Sequence, residues 1–247
     1  MSSLLVQQLA GIYPGLQITL DEPRPEHLSL QQDNSRSLQR LLEHEMQQHP
    51  RAGRLYWSAR CWNLLLWQPV LVSLVAVQGL QCQLKLDQLG QQFGEGWVAG
   101  IVLPPGALEE SSGELIQHQA AELEQFAEAW LVQLNRVVRM NPALARGLLA
   151  DRLLGLLLHF QSAWGMNNTA LQALATHWLQ ALKLEKTSRL VTGVTTRGRE
   201  ELLLERKTCC QHYRRDDGEL CLTCPRLQPQ DKQQRLLQEK AIHYVAT

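Results

Sequence analysis

Hydrophobic positions in the second half of the chain recur at helical spacing. After residues 111–114 (Ser-Ser-Gly-Glu), which form a capping-box pattern, apolar residues return every three or four positions as far as residue 137. This pattern predicts a long amphipathic helix that ends at Asn141-Pro142. The next helix begins at Pro142 and is apolar on nearly all sides, so we expect it to be the most buried. A third begins at a cap over residues 167–169.

The first half of the chain has a more mixed pattern. Short helical segments are predicted near residues 4–10 and 36–48, and a longer one over residues 55–77. Residues 81–86 then alternate strictly between polar and apolar, and residues 97–103 form a short apolar run between Gly96 and Pro104. Both patterns are typical of strands. The predicted fold class is therefore mainly α (α+β), a helical domain with a small antiparallel β element.

The most apolar segment, residues 61–77, raises the question of a membrane span. It falls short of the roughly 18 apolar residues that a span requires, and it contains Asn63, Gln68 and Pro69. We therefore predict a buried helix kinked at Pro69 and no transmembrane segment. The N-terminus lacks the basic region, long apolar run and cleavage site of a signal peptide, so a cytoplasmic location is expected.

The balance of charge excludes some classes of partner. Lys and Arg together number 24, as do Asp and Glu, so no overall field attracts nucleic acid or an anionic membrane. We expect no nucleic-acid partner. Local electrostatic docking remains open, and peripheral contact with a membrane is compatible with it.

The six cysteines divide into two kinds. Cys61 and Cys82 stand alone in apolar stretches and are expected to be packing residues. The other four lie close together, as an adjacent pair, ten intervening residues and a Cys-x-x-Cys pair. Asp and Gly in residues 215–218 (Arg-Asp-Asp-Gly) are turn formers, which allows the two pairs to converge on one site. The four residues are Cys209, Cys210, Cys221 and Cys224.

Three kinds of chemistry compete for these four thiols in a reducing compartment. Structural zinc usually takes pairs separated by two to four residues, whereas here one pair has no spacer. A [2Fe-2S] cluster offers ligand positions on two irons and relaxes that demand, so the spacing favours it. Zinc remains open on spacing alone. A thioredoxin-type dithiol at Cys221 and Cys224 is the third alternative, but no βαβ pattern surrounds it.

Five basic residues lie within a few positions of the cysteines: Arg206, Lys207, Arg214, Arg215 and Arg226. A [2Fe-2S] cluster with four thiolates carries a net charge of about −2, and reduction adds one more negative charge. Nearby positive charge would therefore favour the reduced state and raise the potential. The alternative is a charged loop that is simply solvated. His212 and Tyr213 lie in the same loop.

The spacing of residues 209–224 (Cys-Cys-Gln-His-Tyr-Arg through Cys-Leu-Thr-Cys) resembles the C-terminal motif of the FhuF-like ferric siderophore reductases. That resemblance implies a [2Fe-2S] cluster ligated by Cys209, Cys210, Cys221 and Cys224, with no catalytic residue beyond the cluster. It also implies that the preceding helical chain is the catalytic scaffold and that the substrate is a ferric siderophore. The activity would be transfer of one electron to Fe(III), with release of Fe(II).

The rest of the sequence bears on the electron donor and on the layout of the chain. No flavin or nicotinamide motif is present, so we expect an external donor such as a reductase, a ferredoxin or a flavodoxin. The predicted layout is a helical, siderophore-binding body over residues 1–205, a cluster-binding motif over 206–227 and an extension over 228–247. Two other functions remain open at this point, a zinc-stapled helical binding module and a simple electron carrier.

Overall fold

The computed structural model describes residues 2–110, 113–194, 200–228 and 230–231. It confirms a mainly α chain with small β elements. The helices in these residues are α1 Ser2–Ile12, α2 Ser35–Gln48, α3 Arg54–Leu80, α4 Leu115–Asn135, α5 Pro142–Phe160 and α6 Asn168–Ala181. The strands are β1 Ile18–Thr19, β2 Leu28–Ser29, β3 Cys82–Leu84, β4 Gly90–Gly94, β5 Trp97–Val102, β6 Leu108–Glu110, β7 Arg189–Val194 and β8 Glu200–Glu205.

Helix α3 lies at the centre of the fold. It packs against α1, α2, α4, α5 and strands β3 and β5, and nearly every residue from Ser58 to Val77 along it is buried. By length and composition it is long and apolar enough to cross a membrane, but 78% of its most apolar window is covered by protein. The buried-helix prediction is therefore confirmed, and the arrangement is consistent with a soluble protein. Helix α5 is also largely buried, but α3 rather than α5 is the central helix.

A proline inside α3 leaves one backbone carbonyl without its helical partner, and a strand residue supplies the missing donor. Pro69 has no N–H to give to the carbonyl of Leu65. The side-chain Nε2 of Gln91 in β4 donates to that carbonyl at 3.1 Å, while Gln68 Nε2 donates to Gln91 Oε1 at 3.2 Å. Both glutamines are fully buried. The proline is thus accommodated by a polar link that ties α3 to the sheet.

The β structure is more divided than the sequence pattern indicated. The four-stranded sheet has the order β1-β5-β4-β2, and its β1–β5 pair is parallel, with Ile18 opposite Ile101. Strand β3 belongs to a separate two-stranded antiparallel pair with β6. The antiparallel β element predicted from residues 81–86 and 97–103 is therefore present, but the two segments lie in different sheets. Pairing partners are set by contacts distant in sequence, which alternation within a strand does not specify.

The predicted helices of the second half are present, with shifted boundaries. Helix α4 ends at Asn135, earlier than the predicted end at Asn141-Pro142, and a short connection leads to α5. Asn141 caps α5, since its side chain accepts hydrogen bonds from the backbone N–H groups of Ala143 and Leu144. Asn167 caps α6 in the same way, through Ala170. The serines of the predicted capping box before α4 lie outside the described residues.

A β-hairpin that the sequence pattern did not reveal follows α6. Strands β7 and β8 pair in antiparallel register from Arg189 opposite Glu205 to Val194 opposite Glu200. Leu190, Leu202 and Leu204 face the core from this hairpin. The hairpin packs on α5 and α6. Strand β8 ends immediately before the cysteine motif.

Candidate iron-sulfur site

The four cysteines lie in a surface loop that follows β8, here called the cysteine loop (residues 206–227). Its regular structure is one short 3-10 turn, His212–Arg214. Gln211 precedes this turn with φ of 64°, a left-handed conformation that redirects the chain after the adjacent cysteines. Gly218 makes the return possible, because a Cβ there would lie 2.2 Å from the carbonyl oxygen of His212. The loop therefore folds back and brings the two cysteine pairs together.

The cysteines influence one another in two pairs, each joining the two ends of the loop. The pKa of Cys210 and the pKa of Cys221 each depend on the other side chain, and the pKa of Cys209 depends on Cys224. Cys224 is buried at 2% exposure, whereas the other three are partly exposed. Each pair thus takes one residue from the adjacent cysteines and one from Cys-x-x-Cys. The convergence predicted from spacing is present.

The thiol of Cys210 has a lowered pKa. The neighbouring Cys221 side chain, the nearby charge of Arg206 and the backbone N–H of His212 together lower the pKa of Cys210 to about 4, against the effect of burial. The Cys210 side chain and burial raise the pKa of Cys221. Thiolate rather than thiol is the form that binds metal, so the local field favours metal binding.

One side of the loop is anchored on helix α5. Arg206 Nε donates to Asp151 Oδ2 at 2.7 Å, and both side chains are nearly buried. One helical turn earlier, Gly147 lies beneath Thr208, and a Cβ at Gly147 would fall 2.0 Å from Thr208 Oγ1. Residues four apart share a helix face, so Gly147 and Asp151 both face the segment from Arg206 to Thr208. This contact fixes the chain just before Cys209.

The other side of the loop meets the start of α3. Arg215 forms two hydrogen bonds with Asp217, at 2.8 and 2.6 Å, and also reaches the Tyr56 hydroxyl. Arg51 lies 3.9 Å from Asp216, both exposed. Exposed pairs of this kind contribute little stability, typically below about 1 kcal/mol. The deeper anchoring of the loop is therefore on α5.

The five basic residues do not form the uniform ring that their spacing indicated. Lys207, Arg214 and Arg226 are exposed. Arg226 stacks over the Tyr213 ring at 4.6 Å and donates to its hydroxyl at 2.9 Å, which gives Tyr213 a structural role. Arg206 differs from these residues in being buried and in lying 3.6 Å from Cys221 Sγ through its Nη1.

The four converging thiols fit a [2Fe-2S] cluster, in which each iron takes two protein ligands. A tetrahedral zinc site would need all four sulfurs around one centre.

Residues 206–226 match the family described as the FhuF 2Fe-2S C-terminal domain. This match and the converging cysteines define the class of protein, an iron-sulfur redox protein with a helical body and a C-terminal cysteine motif. The match is short, and over this segment it confirms the resemblance to FhuF-like proteins and [2Fe-2S] as the cofactor. No solved structure matches the chain.

Two site residues were missed by sequence reasoning. Asp151 was passed over inside a helix interpreted as apolar, and Ser188 was not considered. Yet Asp151 lies among leucines, and a carboxylate there is almost never fully buried without a partner, so its position was itself a signal. The other two cysteines behave as predicted, since Cys61 is 0% and Cys82 4% exposed within the packed interior.

Proposed function

We propose that this protein is a cytoplasmic ferric siderophore reductase that delivers one electron to a bound Fe(III) complex. The observation that supports this function best is the family match over residues 206–226, the segment in which the four cysteines converge. The proposed ligands are Cys209, Cys210, Cys221 and Cys224. When bound, the cluster supplies a one-electron redox centre. No further catalytic residue is proposed.

Reduction accounts for release of iron on simple chemical grounds. Siderophore oxygens are hard donors that hold Fe(III) tightly, and they bind the less charged Fe(II) far more weakly. One electron converts Fe(III) to Fe(II), so no bond within the siderophore has to break. The electron enters from a separate donor, for which we propose a reductase, a ferredoxin or a flavodoxin.

We further propose a division of labour along the chain. Residues 1–205 provide the body that binds the ferric complex, and residues 206–227 hold the redox centre. Anchoring of the cysteine loop on α5 supports this layout, because a centre fixed to the helical body keeps a constant distance from any complex bound there. Most of residues 228–247 lie outside the described residues, and we assign them no function. Peripheral contact with a membrane is compatible with this scheme.

The first test concerns the cofactor. Protein purified without oxygen should be reddish-brown, contain about two irons and two acid-labile sulfides per chain, and lose colour on reduction. A colourless protein that contains zinc would instead support the zinc-stapled binding module.

The second test concerns the substrate. The pre-reduced protein is mixed with ferric hydroxamate, catecholate and citrate complexes in the presence of ferrozine, which traps Fe(II). We expect reoxidation of the cluster, with one Fe(II) trapped per electron delivered. The matched control is protein loaded with zinc, which has the same sulfur ligands and no accessible electron. If the cluster stays reduced with every complex, the proposed reductase function is refuted and a simple electron carrier is supported instead.

A further inference from the structure

Arg206 is the one basic residue of the cysteine loop that is both buried and directed at a cysteine sulfur. Its side chain is 10% exposed, and its Nη1 lies 3.6 Å from Cys221 Sγ. By contrast, Arg214 is exposed and its Nε donates to Gln211. Arg215 donates to Asp217 through two of its three guanidinium nitrogens, Nε and Nη2. Among the basic residues of the cysteine loop, Arg206 alone places a nearly buried guanidinium against a cysteine sulfur.

The position of that guanidinium is set from outside the loop. Asp151 Oδ2 accepts from Arg206 Nε at 2.7 Å, and its Oδ1 accepts from the Ser188 hydroxyl. Ser188 Oγ in turn accepts from the backbone N–H of Lys207 at 3.0 Å. Three separate parts of the chain thus meet at one carboxylate. Asp151 comes from α5, Ser188 precedes β7, and Arg206 follows β8.

The two ends of the guanidinium fork serve different partners. Nε is held by the carboxylate, which leaves Nη1 directed at the sulfur. A guanidinium is planar and always charged, so fixing one edge also fixes the direction of the others. Asp151 is 7% exposed and cannot be solvated freely in place of this contact.

We propose that Arg206 donates a hydrogen bond to the Cys221 ligand sulfur and thereby raises the reduction potential, with Asp151 as the positioning residue that holds Arg206 in place. The proposal rests on the ligand set given above. Reduction adds one electron and one negative charge to the cluster, and hydrogen bonds to its sulfurs stabilise that charge. The electron comes from the mediator in a titration or from the external donor in use.

A positioning role and a simple charge effect predict opposite signs at Asp151. A carboxylate near the cluster disfavours added negative charge, so by charge alone Asp151→Asn would move the midpoint potential to more positive values. If Asp151 acts by holding Arg206, the same substitution frees the guanidinium and moves the midpoint to more negative values. The asparagine is nearly isosteric, so the two effects differ mainly in charge and hydrogen bonding.

The experiment is a redox titration of the cluster-loaded protein without oxygen, followed by its visible and electron paramagnetic resonance spectra. For Arg206→Gln we expect a roughly tenfold shift toward the oxidised cluster, about 59 mV more negative for a one-electron couple. Asp151→Asn should shift in the same direction. Arg206→Lys keeps the charge but lacks the planar fork, so it should shift part of the way. Arg214→Gln, an exposed arginine of the same loop, is the matched control and should stay near the wild-type value.

Asp151→Asn leaves a buried cation without its partner and threatens folding. The double variant Asp151→Asn with Arg206→Gln removes both charges and serves in its place. There we expect no further negative shift beyond that of Arg206→Gln, because Asp151 then has nothing to position. A further negative shift in the double variant would overturn the positioning role.

Three other results would overturn the proposal. An unchanged midpoint potential in Arg206→Gln would show that the hydrogen bond to sulfur has no effect on the potential. A positive shift of the midpoint potential in folded Asp151→Asn would show that Asp151 acts only through its charge. A wild-type midpoint in Arg206→Lys would show that a positive charge alone sets the potential, without the geometry of the guanidinium. These measurements use no siderophore, so failure of the reductase function leaves them intact. Failure to find any iron and sulfide in the wild-type protein would instead refute the proposed cofactor ligation.

Discussion

Replacing Gly147 by Ala tests whether the cysteine loop depends on close contact with α5. The added Cβ would lie 2.0 Å from Thr208 Oγ1, 2.9 Å from its Cβ and 3.0 Å from its Cγ2. Rotation of Thr208 only exchanges one branch for the other, and its Cβ does not move. The segment before Cys209 must therefore shift away from the helix.

The expected magnitude is a difference between two terms. Overpacking costs about 1–3 kcal/mol, while replacing Gly by Ala inside a helix contributes up to about 1 kcal/mol of stability. The net loss of about 1 kcal/mol should lower the melting temperature by roughly 2–4 °C for a chain of this size. Iron and sulfide content should also fall, because the displaced segment carries Cys209.

The assay is thermal unfolding followed by circular dichroism, with iron and sulfide measured on the same preparations. Gly11→Ala in α1 is the matched control, since nothing lies within 4 Å of its added Cβ, and it should be neutral or slightly stabilising. Combining Gly147→Ala with Thr208→Ala removes the shortest contact and should restore part of the loss. If Gly147→Ala alone keeps the wild-type melting temperature and iron content, the contact has no role in holding the loop.

Three further predictions concern the loop itself. Replacing any one of the four loop cysteines by Ser should abolish or strongly weaken the visible spectrum, while Cys61→Ser should retain it. Loss of the spectrum in Cys61→Ser would contradict the ligand set. Gly218→Ala should lower iron content, because its Cβ would meet the His212 carbonyl oxygen at 2.2 Å and backbone cannot rotate aside; full iron loading would show that the turn adapts. The double variant Arg214→Ala with Arg215→Ala should make the midpoint potential only slightly more negative. This shift should shrink as the salt concentration rises, since exposed charges are screened. Redox titration at two salt concentrations measures it, and a salt-independent shift as large as that of Arg206→Gln would contradict the prediction.

The sequence predicted the helices better than the sheets. Helical periodicity is local, so α4, α5 and α6 were all found. The largely apolar segment 61–77, interrupted by Asn63, Gln68 and Pro69, correctly indicated a buried helix. Strand β8 was missed because Glu200–Glu205 reads Glu-Glu-Leu-Leu-Leu-Glu, which has neither strand alternation nor a turn signal. Its strand character comes from pairing with β7, a contact that no pattern within the segment reveals.

The same distinction applies to the site. The four cysteines and their convergence followed from spacing and turn residues in one short segment. The anchor could not be found in this way, because Asp151 and Arg206 are distant in sequence and meet only through the packing of β8 on α5. Sequence reasoning therefore gave equal weight to five basic residues. The structure distinguishes Arg206 by burial and by its distance from sulfur.

The central position of α3 has a consequence for the order in which the chain is made. Its packing partners α4 and α5 are synthesised later than α3 itself. During translation a long apolar helix is therefore present before the surfaces that cover it, and exposed apolar surface of this kind promotes aggregation. The helices α1 and α2, which precede α3 in the chain, cover only part of it. Fragments that end before α4 should therefore be insoluble, because they lack the helices that cover much of α3.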